Sequence, residues 1–382
     1  MKASGAFELI TDQLRLAGAI GLMAGQSSLA FDLEANGFHR YPERVCLLQV
    51  SVPGQVFLID PLAIADLSAL GGILADPSIE KIFHSADYDV RSLDREWGFE
   101  IQGLFDTSIA AAFVGEQKLG LEAVTESMLG ITLGKSKRLQ RADWSIRPLN
   151  AESRNYAAQD VLHLFELRSA LGARLQDLGR RDWVDEECRR LSKVRFRTPD
   201  VESAFLGMKG SRVLDGRALA VLKSLHGFRD GEARRLDRPP FKVVSDAVLV
   251  ELAASPGTEL DSVNGIGRYA RPPASKGLLR AIKDGLAGPA VKRPAPARSA
   301  GRPLSRAERA SAKDRLVLLK EWRTGLGVRL GLDPALLWPG ASLTRLAGRP
   351  GDLDTELAAP EVRAWQRGEF EKELRIFLRD QT

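Results

Sequence analysis

Asp32 and Glu34 are spaced i, i+2 in LAFDLEANG, directly after the apolar residues Ser28-Leu29-Ala30-Phe31, which read as a strand. Side chains two apart on a strand share a face, so both carboxylates point the same way. A third acid, Asp89, stands in FHSADYDV, and Tyr156 and Asp160 follow at i, i+4 in RNYAAQDVLHL. That last segment has helical periodicity (Tyr156, Val161, Leu164, Leu167), so the phenol and carboxylate stack on one helical face. Converging carboxylates with no thiol or imidazole among them suit hard divalent cations such as Mg²⁺ or Mn²⁺. Two such ions a few ångström apart are a standard apparatus for in-line hydrolysis of a phosphodiester. An acidic pair in a buried strand also needs such a partner, because uncompensated buried charge costs several kcal/mol. The constellation reads as a nuclease.

The elements that must position these groups are legible in outline. Thr11 can cap an opening helix over 12–23. Strand-like runs follow at 28–33, 45–52 and 55–59; Pro53-Gly54 separates the last two, predicting an antiparallel hairpin with a type II turn. A short strand at 81–84 leads into a helix carrying Asp89, Val90, Leu93 and Trp97, and Leu104-Phe105-Asp106-Thr107 reads as another strand entering a helix. Antiparallel strands followed by strand–helix alternation indicate an α/β module, a mixed sheet flanked by helices. His84, at a strand end, is expected to hydrogen-bond locally rather than act as a base, and Asp106 to cap the helix after it.

Beyond a seam near Thr198-Pro199 the pattern turns helical, first over 205–287 and again over 307–382. Between them, 288–306 holds Pro289, Pro294, Pro296 and Pro303 with five basic residues and no acid, as expected of an extended, mobile linker. Two small helical bundles on a string is the coarse expectation, with residues 1–197 folding as a module of their own.

Charge is uneven. Residues 1–200 carry 23 Lys+Arg and 28 Asp+Glu, whereas the remainder carries 32 and 22, for a net charge of +5 over the 382 residues. An acidic module followed by a basic half suits a polyanionic substrate held by the tail. Lys135, Lys137, Arg138, Arg141 and Arg147, interleaved with Trp144, are expected to face phosphate, with Trp144 buried as an anchor. Asn264-Gly265-Ile266-Gly267 is a tight turn whose backbone N–H groups at Gly265 and Gly267 could meet phosphate. No run approaches the roughly 18 apolar residues of a membrane span, and the N-terminus is too interrupted by charge for a signal peptide. Two cysteines, Cys46 and Cys188, neither suggest a disulfide framework nor suffice for a zinc site. A cytoplasmic setting in a bacterium or organelle is expected, with no membrane partner and no organic cofactor.

In this order, FDLE, YPERVCLLQVS, VFLIDPL, KIFHSADYDVRSL, LFDTSIAAAFVG, RADWSIRPL and YAAQDV resemble bacterial ribonuclease D, within the DEDD superfamily of 3′–5′ exonucleases. Tyr156 places the resemblance in the branch with tyrosine in the last motif. The family commonly has an aromatic residue after the glutamate, whereas Ala35-Asn36-Gly37 follows here. Residues 205–286 look like an HRDC domain, the module shared by helicases and ribonuclease D, and 310–378 like a second, divergent copy. The resemblance implies a ribonuclease H-like exonuclease domain followed by two all-α HRDC-type bundles. It implies that Asp32, Glu34, Asp89 and Asp160 bind two Mg²⁺ or Mn²⁺ ions and that Tyr156 positions, and helps deprotonate, the attacking water. The family's His-x-x-x-x-Asp spacing, met here from His84, implies Asp89 rather than its neighbour Asp87. The expected activity is a 3′–5′ exoribonuclease trimming structured RNA such as tRNA precursors. The alternatives are a DNA exonuclease on the same scaffold, a non-catalytic nucleic-acid-binding protein, and a phosphatase or nucleotide-processing enzyme, which appended basic bundles disfavour.

Overall fold

Every residue of Val45–Val52 is buried, which a strand permits only where both faces of its sheet are covered. This run is the third of six strands: β1 (Phe7–Ile10), β2 (Ser28–Ala35), β3 (Val45–Val52), β4 (Gln55–Ile59), β5 (Glu80–Phe83) and β6 (Leu104–Asp106). The computed structural model describes residues 7–134, 136–198, 200–294 and 303–379. The strands form one mixed sheet in the order β1-β4-β3-β2-β5-β6. β3 is antiparallel to β2 and β4, while β1–β4, β2–β5 and β5–β6 are parallel. The expected hairpin is present: Val52 pairs with Gln55, and Gly54 has φ +86°, which the third residue of a type II turn requires. β1 was not expected from the sequence, since four residues are too few to show alternation.

Helices α1 (Gln13–Ala24), α2 (Ser68–Ala75), α3 (Asp87–Trp97), α4 (Thr107–Val114), α5 (Leu121–Leu129), α6 (Lys137–Gln140), α7 (Ala151–Leu162), α8 (Leu164–Asp177) and α9 (Arg181–Leu191) belong to the same module. The cap of α1 is Asp12, whose carboxylate accepts the Arg15 N–H at 2.9 Å, not Thr11. The periodic segment after Asn150 is two helices, broken at His163, rather than one.

The chain continues as α10 (Gly216–Leu236), α11 (Pro240–Val243), α12 (Asp246–Ala254) and α13 (Ser275–Ala287), which enclose a separate core including Leu219, Leu222, Leu249 and Leu278. The start of the Pro-rich segment is fastened to this bundle: the Val291 N–H donates to the Gly216 carbonyl at 2.8 Å, and Arg293 reaches the Ser211 carbonyl. Residues 295–302 of the expected linker lie outside the described residues.

The last helices are α14 (Arg306–Leu330), α15 (Pro334–Leu337), α16 (Gly340–Gly348), α17 (Leu353–Leu357) and α18 (Ala364–Arg379). Their core is continuous with that of the sheet module, so they do not hang on a string. Trp365 stacks on Trp183 of α9 at 4.6 Å and meets Phe113 of α4 edge-on at 5.4 Å. Around the aromatics, Arg363 pairs with Glu187 at 2.8 Å, and Glu186 accepts the backbone N–H groups of Ala364 and Trp365. Among the described residues no helix is long and apolar enough to cross a membrane.

Candidate active site

β2 pairs with β5 only over Ser28–Ala30, but with β3 from Ala30 to Ala35. Past Ala30, therefore, the side of β2 that faced β5 opens into a crevice at the carboxyl ends of two parallel strands, where ligands gather in open α/β sheets. Asp32 and Glu34 lie on this projecting half of β2, on one face. The chain leaving β5 turns through 84–86 directly into α3, whose first turn carries Asp89. Across β2, β3 and β4 lies α7, with Tyr156 and Asp160 buried beneath it.

The turn into α3 is held by Asp106. Its carboxylate accepts the N–H groups of Ser85 at 3.0 Å and Ala86 at 2.7 Å while capping α4 through Ser108 and Ile109. The expected structural role of Asp106 thus extends to launching the helix that carries Asp89. Ser85 has φ +64°, a conformation uncommon for a residue with a Cβ. His84 is engaged by Thr107 Oγ1 at 2.9 Å through Nδ1 and by the Leu119 carbonyl at 2.8 Å through Nε2, the local bonding expected of it. Asp87 points elsewhere, paired with Arg91 at 2.9 Å.

The five residues are electrostatic neighbours. Burial and then the charge of Asp32 push the Asp89 carboxyl well above the usual carboxylate range, with Asp106 adding to it; the Leu33 and Asp89 backbone N–H groups pull the other way. Burial, then Asp160, Glu34, Asp32 and Glu122, push the Tyr156 phenol above its ordinary value. Glu122, in the first turn of α5, was not anticipated, and nothing in its sequence context marks it. Gln49 was also missed, although a lone amide in the apolar run VCLLQVSV is a signal. It sits cross-strand from Asp32 and is fully buried, and among the described residues neither polar atom of its side chain has a hydrogen-bond partner. An orphaned buried amide costs about 1–3 kcal/mol, a cost that a polar partner beside Asp32 would offset. Among the described residues no three His, Cys, Asp or Glu side chains are gathered tightly enough to hold a metal as they stand. The donor set is nevertheless all hard oxygen, and its mutual repulsion is what a cation relieves.

The basic segment divides. Trp144 is buried and lies 6.1 Å from the Tyr156 ring. Arg147 corrects the expectation of a phosphate contact: it turns inward, gripping Asp60 at 2.6 and 2.8 Å and the carbonyls of Cys46 and Trp144. Its guanidinium has no face left for phosphate. Lys137, Arg138 and Arg141 are exposed, Arg138 bridging to Glu152 of α7; Lys135 lies outside the described residues. Gly265 (φ +82°) and Gly267 (φ +57°) form an exposed turn of the α10–α13 bundle, pinned by buried Ile266. Their turn packs on the core of that bundle, which is separate from the core of the sheet module. Cys46 and Cys188 are both buried free thiols.

Comparison with known proteins adds an independent line. Residues 7–176 match the 3′–5′ exonuclease family model, and 218–282 match that of the HRDC domain. Ribonuclease D of Gluconacetobacter diazotrophicus is 30% identical over 370 residues, covering 95% of this chain and 90% of its own. The crystal structure of Escherichia coli RNase D, described as an exoribonuclease involved in structured RNA processing, superposes with a TM-score of 0.73 at 25% identity. The match covers 98% of this chain and 99% of that one. A protein from Bifidobacterium adolescentis superposes with a TM-score of 0.80 at 27% identity over 97% of both chains.

Proposed function

The chain belongs to the ribonuclease D family of 3′–5′ exoribonucleases, and we propose that it trims structured RNA, tRNA precursors among them, with two divalent cations held by Asp32, Glu34, Asp89 and Asp160. The observation that carries this reading is the electrostatic convergence of these groups on Tyr156 and Asp89. Four carboxylates brought together carry up to four negative charges, which two divalent ions balance and one leaves half uncompensated. When bound, such ions act as Lewis acids toward the scissile phosphate and lower the pKa of water.

The chain's own residues do the rest. Asp32, on the projecting end of β2, is an electrostatic neighbour of both Asp89 and Tyr156, which supports a reading in which it would serve both cations. Glu34 and Asp160 would help hold one cation, and Asp89 would support the other. Tyr156 keeps its proton at neutral pH, because a phenol ordinarily titrates near 10 and burial opposes the phenolate further. It therefore orients the attacking water as a hydrogen-bond donor or acceptor and does not serve as a base. Buried Gln49 offers a further amide for water beside Asp32.

The test is a time course on 3′- and 5′-labelled single-stranded RNA, DNA and precursor tRNA, with Mg²⁺, Mn²⁺ or EDTA. The expected result is immediate release of labelled 5′-mononucleotide from the 3′ end and a shortening ladder from the 5′ label, abolished by EDTA. Activity that survives EDTA would sink the two-cation reading, and equal rates on DNA would sink the preference for RNA, which must come from contacts to the 2′-OH.

A further inference from the structure

The loop that follows Glu34 is the tip of the β2–β3 hairpin, and it is fastened on three sides. Asn36 closes it, accepting the Arg44 N–H on its side-chain oxygen at 2.8 Å while its own N–H donates to the Arg44 carbonyl. Glu43 ties it to α3 through Arg95 at 2.8 Å and Tyr88 at 2.7 Å. The α10–α11 corner grips it from the other domain: Asp237 accepts Arg40 at 3.0 Å and the Tyr41 N–H at 3.1 Å, and Asp230 accepts the Tyr41 hydroxyl. Asp237 does this with φ +48°, at a helix end where glycine is the unstrained choice. A glycine there would lose the carboxylate that clasps the loop.

This fastening presents two rings to solvent. Phe38 of the hairpin tip and Phe241 of α11 meet edge-on, with centroids 6.5 Å apart, yet they remain 52% and 55% exposed. Two half-bare phenylalanines on a seam between domains are not needed to seal it, since polar groups already do so. Exposed cations lie close to them in sequence. Arg238 and Lys242 flank Phe241 in the chain, and the backbone of exposed Arg141 is tied to the residue after Phe38, its carbonyl meeting His39 Nε2 at 2.7 Å. Phe38 is only four residues past Glu34, at most about 14 Å of chain.

We propose that Phe38 and Phe241 form a stacking platform for unpaired bases at the 3′ end of an RNA strand, placed at the seam between the catalytic module and the first helical bundle. The proposal rests on the reading of the chain as an RNA exonuclease and adds a substrate site to it. Flat π-faces edged by cations are the arrangement that holds single-stranded nucleic acid irrespective of sequence, the rings taking bases and the cations the phosphates. Because the platform is contributed by two domains, the first bundle acts in substrate binding at the site itself and not only as a remote basic tail.

The experiment measures binding of a short 5′-fluorescein oligoribonucleotide to the full chain by anisotropy, in EDTA so that nothing is hydrolysed. Phe38→Ala and Phe241→Ala should each weaken binding by about five- to a hundredfold, the effect of losing one stacked base. Phe→Trp should restore it and Phe→Leu should not. An abasic residue walked inward from the 3′ end should cost the wild type a similar factor at one or two positions and cost the double alanine variant nothing. Equal abasic penalties in wild type and variant, or full rescue by Leu, would overturn the platform and leave the rings as seam packing. Both side chains are half-exposed, so the variants should fold, and thermal unfolding checks this. Binding is read without turnover, so failure of the platform and failure of metal-dependent hydrolysis by the wild type are separate results.

Discussion

Tyr156 and Arg147 lie close in sequence to the same catalytic crevice, and burial gives them opposite assignments. Tyr156 stays protonated, so Tyr156→Phe should slow single-turnover hydrolysis roughly ten- to a thousandfold, the effect of losing a water-orienting group, while leaving metal affinity unchanged by titration calorimetry. Asp32→Ala, Asp89→Ala or Asp160→Ala should abolish turnover with little loss of folding, since removing one member of a mutually repelling cluster relieves its neighbours. Wild-type rates in Asp89→Ala would move that role to Asp87. Arg147 is a staple: Asp60 beneath it is only 3% exposed, and truncation strands a buried carboxylate. Arg147→Ala should therefore cost about 3 kcal/mol in urea unfolding, with no change in the salt dependence of RNA binding. A reduced salt slope without lost stability would reverse that assignment.

At the scale of the element, the offset between β2 and β5 is what makes a site. Had β5 run two residues further, it would have paired with the half of β2 that carries Asp32 and Glu34. Instead it ends at Phe83, and Asp106 gathers the turn that starts α3. β5 also buries Lys81 completely, its ammonium hydrogen-bonded to the Asp76 carbonyl. Burial lowers its pKa from 10.5 to about 8, Asp76 acting weakly the other way. Between about pH 8 and 10.5 the unfolded chain thus binds more protons than the folded one, so this group makes stability rise with pH across that window. Below pH 8 the penalty of the buried charge is fully present. Lys81→Met should stabilise the protein at pH 7 and flatten the rise in thermal midpoint between pH 8 and 10; an unaltered slope would show that Lys81 is not its source.

Across the whole molecule, both helical bundles return to the catalytic module by different means. The first meets the hairpin tip through polar clasps and the Phe38–Phe241 contact. The second shares an aromatic core with α4 and α9. A fragment of residues 1–200 would expose Phe113 and Trp183 and leave Glu186 and Glu187 without partners, so it should unfold at lower temperature than the full chain. Loss of packing around one buried tryptophan is worth about 3–5 kcal/mol. Co-expression with the last 80 residues should restore the midpoint if docking is the cause. The fragment also lacks the basic half, so RNA binding by the full chain should fall more steeply with added KCl than binding by the fragment. Equal slopes would mean that the bundles do not contact phosphate.

What the sequence by itself determined is local and periodic. The bounds of β3 and β4, their Pro53-Gly54 turn and the strand-then-helix rhythm through Asp89 all follow from alternation and turn chemistry, which act between residues close in the chain. The shared face of Asp32 and Glu34 follows from the same cause. Residue type and spacing also identified the set of hard-oxygen donors, and the order of the motifs indicated the family. Only tertiary structure decided where that logic meets the rest of the chain. Arg147 and its basic neighbours look alike in sequence, and only the position of Asp60, 87 residues away, turns one of them inward. Nothing near Trp365 reveals that its partner is Trp183, or near Phe38 that Phe241 stands opposite. Such contacts are selected by which surfaces the finished sheet leaves uncovered, and a surface of that kind does not exist until the strands have paired.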